Sequence, residues 1–273
     1  MITFEITDNP HPAYRDLAWD IFFRQRGRGL DLLSHFPWIE KSHPSIWCVL
    51  ARDSDTVVGG LTVLERPCAR GVFGIVGLVC VDASMRGQKI ASRLTQMAIG
   101  HARSRQCGAL TLWTGQPHFY AGQGFVIQDG GAYGWVTRTA GVSSALTHTD
   151  FRRVPCIATE AMGRGVPPFA LGMTRIESAL SGAAVTLVDD ANGPTVAEWQ
   201  GDDAEVDALF RAALPERFRL NCRHDDTLVA TMSASGWVTT LQPSNLQMWR
   251  VFDDTSTAID WDEASRLRLL DRI

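Results

Sequence analysis

The residues with the clearest chemical reading lie in VCVDASMRGQKIASRLTQMAIGHA, residues 79–102. Arg86 and Lys89 place two cations around Gly87 and Gln88, directly before an apolar stripe at Ile90, Leu94, Met97, Ala98 and Ala102. That spacing predicts a helix starting at Ile90 and stopping near Cys107-Gly108. A helix N-terminus leaves its first backbone N–H groups unpaired and carries partial positive charge. Gly87 lets the backbone approach a ligand closely, and Ala91 keeps the first turn uncluttered. The chemistry this suits is a diphosphate cradle built from Arg86, Gly87, Gln88, Lys89, Ile90, Ala91 and Ser92.

A strand must deliver the chain to this turn. Ile75, Val76, Leu78, Val79 and Val81 form a short apolar run rich in β-branched residues, which reads as a buried strand. Upstream, IWCVLARDSDTVVGGLTVLERP reads as strand, turn at Asp53-Ser54-Asp55, and strand. Downstream, LTLWTGQPHFYAGQGFV begins as a strand, turns at Gly115-Gln116-Pro117, and gives Phe119-Tyr120-x-x-x-Gly124-Phe125. A dinucleotide fold needs three glycines and a later acid, and an ATP-type loop needs Gly-Lys followed by Ser or Thr; neither pattern is present.

The turn resembles the pyrophosphate arm of the GNAT (Gcn5-related) N-acetyltransferases, Arg/Gln-x-x-Gly-x-Gly/Ala. Arg86 fills the first position and Ala91 the last, whereas Lys89 stands where the family has Gly. That departure either stiffens the loop or adds a phosphate contact. The Tyr-bearing short helix and the Gly-Phe pair follow at the family's distance and in its order. The resemblance covers residues 3–137. It implies an α+β fold, a central mixed but mostly antiparallel sheet flanked by helices.

It also implies direct transfer of an acyl group from a CoA thioester to an amine, with acetyl-CoA as cosubstrate and no metal. The pantetheine arm would pair with the backbone of Val79, Cys80 and Val81 where two strands splay, and a backbone N–H near Val81 would stabilise the oxyanion. Tyr120 is the candidate general acid, since a phenol of pKa about 10 suits protonation of a thiolate of pKa about 8.5. His118, two residues earlier, faces another way and reads as a rim residue. Many family members place a Glu on the splayed strand; GIVGLVCV has none, which leaves Glu65, Asp82 or solvent as base. Cys80, alone in an apolar strand, reads as core packing.

Composition narrows the class. The chain has 273 residues, 45% hydrophobic and 21% charged, with a net charge of −4. These values suit a globular protein and argue against nucleic acid as partner. No apolar run approaches a membrane span, and the N-terminus lacks a signal-peptide pattern. Six cysteines (Cys48, Cys68, Cys80, Cys107, Cys156 and Cys222) are scattered singly, which fits a reducing cytoplasm. The basic run at Arg24, Arg26 and Arg28 reads as a solvated loop or as part of a substrate mouth. His35, Phe36 and Trp38, beyond it, read as an aromatic acceptor pocket or as core.

Residues 138–155 read as a linker, which predicts domains at 1–148 and 149–273. In the second half, a turn at Asn192-Gly193, a helix along Val206, Leu209, Phe210, Ala213 and Leu214, a strand near 218–222, a helix near 228–233, Gly236-Trp237 and a final strand pair repeat the order of the first half. This implies a second, smaller and degenerate GNAT-like unit, with Asp202 and Asp203 where the cradle cations stand and Met232 where Tyr120 stands. The leading expectation is a cytoplasmic N-acetyltransferase acting on a small-molecule amine or amino acid. The alternatives are a non-catalytic acyl-CoA-binding or regulatory protein, and an acyltransferase for a protein or tRNA acceptor. Homodimerisation is left open.

Overall fold

Near-continuous apolar runs, buried on both faces, build the central strands of the first sheet, and the helix Ile90–Ser104 closes one face with the stripe read from the sequence. The computed structural model describes residues 1–27, 29–40, 43–139, 150–155, 164–252 and 259–273. The chain divides into two compact units, residues 1–129 with 245–267 and 272–273, and residues 130–244 with 268–271.

The first unit begins with β1 (Ile2–Thr7), α1 (Pro12–Phe22) and α2 (Leu32–His35). The hairpin β2 (Ile46–Asp53) and β3 (Thr56–Cys68) turns at Ser54, which takes a left-handed φ of 52°. β4 (Gly71–Val81) leads through the basic turn to α3 (Ile90–Ser104), then β5 (Ala109–Trp113), α4 (Pro117–Ala121) and β6 (Val126–Ile127). α3 ends earlier than the glycine implied. Gln106, at φ 60°, makes the left-handed exit, and Cys107 N–H donates to Ala102 O at 2.9 Å. β2 and β3 bury opposite faces. Trp47, Val49, Leu61 and Val63 pack with Leu94, Ala98 and Ala102 of α3, while Cys48, Leu50 and Leu64 pack with Tyr14 and Ala18 of α1.

The second unit comprises β7 (Gly131–Arg138), β8 (Phe151–Pro155), β9 (Gly172–Ser178), β10 (Ala184–Asp190), β11 (Gly193–Gln200), α5 (Asp203–Ala213), β12 (Arg217–Arg223), α6 (Thr227–Ala234) and β13 (Trp237–Pro243). β10 and β11 form the hairpin expected at Asn192-Gly193, with Gly193 at φ 103°. β11 and β12 are parallel and joined through α5, as β4 and β5 are joined through α3. α5 buries Val206, Leu209, Phe210 and Ala213 as the stripe predicts.

The division expected at residue 148 is not the one observed. The first sheet runs β1-β2-β3-β4-β5-β14-β6, where β14 is Gln247–Val251; the second runs β13-β7-β12-β11-β10-β9-β8. Each sheet therefore places, beside its parallel pair, a strand from the other half of the sequence. β13 and β14 do not pair with each other, and residues 151–155 are a strand rather than linker. The point 148/149 itself lies outside the described residues. After β14, α7 (Trp261–Ala264) packs Ala264 and Trp261 beside Trp249 and Phe73 in the first unit.

Candidate acyl-transfer site

β4 and β5 pair over three positions only, Phe73 with Ala109, Gly74 with Leu110 and Ile75 with Thr111. Beyond Ile75 they diverge, and a bulge begins. Gly60 of β3 opposes Cys80 and Thr62 opposes Gly77, so the register shifts there. Leu78 takes φ 51°, a conformation that costs a non-glycine residue about 1–2 kcal/mol. Tyr14 of α1 holds this geometry. Its buried hydroxyl donates to Leu78 O at 3.0 Å and lies 3.1 Å from Thr62 Oγ1. Gly60 makes room for the ring, since a Cβ there would stand 2.6 Å from Tyr14 Cδ2. The glycine pair in the middle of β3 was the sequence signal for such a close approach.

The splay opens into a cavity of about 440 Å³ lined by Val76, Leu78, Val79, Leu112, Phe119 and Tyr120, among others. Tyr120 comes from α4, where Pro117 occupies the first turn. Its ring meets Phe119 at 4.8 Å and Phe125 at 5.9 Å, both edge-on. Gly124 takes φ 81°, which accounts for glycine in the Gly-Phe pair, and a Cβ there would meet the Arg250 guanidinium. Among the described residues the Tyr120 hydroxyl has no hydrogen-bond partner, and burial pushes its pKa up to about 12. His118 is exposed on the same short helix and is not among the residues lining either cavity.

A second cavity, of about 290 Å³, is lined by Val81, Arg86, Gly87, Lys89, Ile90, Ala91 and Ser92, with Met85 and Phe119. The two cavities share Ala91 and Phe119. The first intrahelical donor of α3 is Arg93, whose N–H reaches Lys89 O at 3.1 Å, so the N–H groups of Ile90, Ala91 and Ser92 precede the helix ladder. Gly87 takes φ 81° with open space beside it. Lys89 itself is left-handed, φ 60° and ψ 20°. It holds the conformation that the family's glycine adopts freely and adds a cation. Arg86 donates through Nε to Val81 O at 3.3 Å, and among the described residues neither cation has a carboxylate partner.

Other expectations are corrected. Glu65 is not at the splay. Its carboxylate accepts from Trp47 Nε1 at 2.8 Å, from Arg105 Nη2 at 3.0 Å and Arg105 Nε, and faces Cys107 Sγ at 3.8 Å. Arg105 follows the far end of α3, about 20 Å from the cradle at 1.5 Å per residue. Asp82 caps the turn after β4, accepting from Ser84 N–H at 2.8 Å, and these bonds hold its carboxyl below the usual range. Cys80 turns its side chain toward α1, where burial pushes the thiol up to about 12. Its side chain is core, as read. Phe36, Trp38 and His35 are buried with α1 and do not line the cavity. Arg24 pairs with Asp20, Arg26 lines the cavity, and Arg28 lies outside the described residues, as does Cys156.

Phe22 and Ile273 line the cavity without any motif to announce them, and Arg26, from the basic run, lines it with them. Ile273 O would stand 2.3 Å from a Cβ on Gly77, so Gly77 admits this segment against β4. Among the described residues no group of three or more His, Cys, Asp and Glu is arranged to hold a metal ion, and no helix is long and apolar enough to cross a membrane.

Residues 11–125 match the model of the acetyltransferase (GNAT) family. These residues are a GNAT domain. No curated protein sequence matches the chain at a significant level. The fold of the GNAT domain and of the unit that follows recurs in solved structures. A conserved protein of unknown function from Enterococcus faecalis V583 superposes with a TM-score of 0.66 at 11% identity, covering 92% of this chain and 73% of that one. A GCN5-related N-acetyltransferase from Anabaena variabilis gives 0.62 at 12%, covering 91% and 73%. A tandem GNAT protein from the clavulanic acid biosynthesis pathway gives 0.55 at 12%, covering 92% and 98%. At these identities the likeness is one of fold, and it extends the GNAT-like architecture to the second half.

Proposed function

We propose that the chain is an N-acyltransferase that moves an acetyl group from acetyl-CoA to a primary amine of a small molecule or amino acid by direct attack. One observation carries this reading: a cationic cradle at the start of α3 adjoins a cavity at the β4/β5 splay, and a buried phenol faces that cavity. The residues fit the cosubstrate. Arg86, Lys89 and the N–H groups of Ile90–Ser92 suit a diphosphate, and the open side of Gly87 leaves room for it.

Bound acetyl-CoA supplies an activated thioester. Along Val79–Val81 β4 keeps β3 on one side, while on the other β5 has diverged and leaves an edge for an extended arm. Val79 lines the splay cavity whereas Val81 lines the cradle. We therefore assign the oxyanion donor to the bulge at Leu78–Val79 rather than to Val81. Tyr120 O–H donates the proton that the departing sulfur takes up. With Glu65 and Asp82 occupied elsewhere, water receives the proton of the attacking amine. The second unit binds no acyl-CoA in this reading. Asp202 caps α5, accepting from Ala204 N–H at 2.9 Å, and sets a carboxylate where a diphosphate needs cations. Met232, which the sequence order matches to Tyr120, is buried and carries no acid. The free thiols of Cys48, Cys68, Cys80, Cys107 and Cys222 suit a reducing cytoplasm.

The experiment is release of free thiol from acetyl-CoA on a panel of amines, paired with calorimetry. Amine-dependent release supports the proposal. Binding without release on any amine would favour the regulatory reading, and absence of binding would remove both.

A further inference from the structure

The wide cavity has an uneven electrostatic character. Its lining side chains are apolar or neutral save one, Arg26. Arg26 ends a single 3₁₀ turn, Arg24–Arg26, which Gly27 closes in the left-handed conformation at φ 58°. Its neighbours share Asp20: Arg24 Nη2 lies 2.5 Å from Oδ1, and Gln25 Nε2 donates to Oδ2 at 2.6 Å. Both carboxylate oxygens of Asp20 are thus engaged. Arg26 has no carboxylate partner among the described residues, and its guanidinium lies 6.0 Å from the ring of Phe22, which also lines the cavity. The diphosphate does not need it, because Arg86 and Lys89 serve the other cavity and Arg26 does not line that one.

Resting on the acyl-transfer reading, we propose that the acceptor carries a carboxylate as well as its amine, and that Arg26 binds this carboxylate at the mouth of the cavity. A guanidinium fork matches a carboxylate in a two-bond geometry and holds it with directionality that a point charge lacks. With the carboxylate on Arg26, the amine is directed inward, toward Tyr120 and the splay. The one cation among the lining side chains favours an acceptor that carries a carboxylate. An amino acid or a short amino-carboxylate meets these demands.

The test uses the full chain, saturating acetyl-CoA, and acceptors in matched pairs: amino acids against their amides, with a polyamine as a third class. Free thiol release gives kcat/KM for each. The expected result is a preference for the carboxylate over its amide of about 10- to 100-fold, carried mainly by KM, as a hydrogen-bonded charge pair supplies. Arg26→Ala should collapse that ratio toward one, Arg26→Lys should restore part of it, and Arg26→Glu should reverse its sign. A wild-type ratio near one, or an Arg26→Ala variant that keeps the wild-type ratio, overturns the inference while thiol release on the amides leaves the acyl-transfer reading standing. Release on no acceptor of any class overturns both.

Discussion

Replacing Tyr120 with Phe separates chemistry from packing more cleanly than any other change in the site. The ring contacts with Phe119 and Phe125 are edge-on and survive the substitution. The hydroxyl has no partner among the described residues, so its loss orphans no buried group, and stability should change by less than about 1 kcal/mol. The rate should respond instead. Burial raises the phenol to about 12, which makes it a weaker acid than free tyrosine. The same dryness acts on sulfur: the thiols of Cys48, Cys80 and Cys107 in this unit are also pushed up to about 12. A thiolate formed against the apolar lining of the cavity is likewise a stronger base than in water, which keeps the two groups matched. Removing a matched acid costs about 10²- to 10⁴-fold in kcat, or about 3–5 kcal/mol of barrier. Single-turnover thiol release alongside the acetyl-CoA dissociation constant measures this, with kcat falling and affinity held. The pH profile gives a second check. An acid with its pKa raised stays protonated below about 12, so the rate should rise as the amine deprotonates and show no alkaline decline up to pH 10. A decline beginning below pH 10, a loss of less than about threefold, or an equal loss of binding and rate would refute the assignment.

Two further changes probe the scaffold. Gly60→Ala should cost about 1–3 kcal/mol and lower the melting temperature by several degrees, because the new Cβ would stand 2.6 Å from the Tyr14 ring; an unchanged melting curve would contradict the account of the bulge. Residues 1–148 expressed alone lack β14, which pairs with both β5 and β6 and buries Met248 and Trp249; this fragment should aggregate or unfold, and a stable, monomeric, active fragment would contradict the sheet order.

Where the determinants are local, the sequence is a sufficient guide. The stripe from Ile90 places α3, and the basic turn ahead of it places the cradle, since both depend on residues within a few positions of one another. The short helix with Tyr120 and the Gly-Phe pair were legible for the same reason. Strand exchange was not. β7 and β14 are short runs, and nothing in either specifies which sheet it joins. Glu65 misled because its partners, Trp47 and Arg105, arrive from 18 and 40 positions away and turn a plausible base into a structural ion pair. Lys89 departed from the family's letter but kept its conformation, which only φ reveals. The cavity residues Phe22 and Ile273 come from opposite ends of the chain and share no pattern to mark them, whereas Arg26 stood in a basic run whose local sequence left two readings open.

In the function proposed above, acetyl-CoA binds at the start of α3 and nowhere in the second unit. Calorimetric titration of acetyl-CoA into the full chain and into Arg86→Glu tests it directly. The account predicts one molecule per chain, with affinity lowered about 10- to 100-fold when a carboxylate replaces Arg86 beside the diphosphate. A stoichiometry of two, or a dissociation constant that Arg86→Glu leaves unchanged in a folded protein, would contradict it.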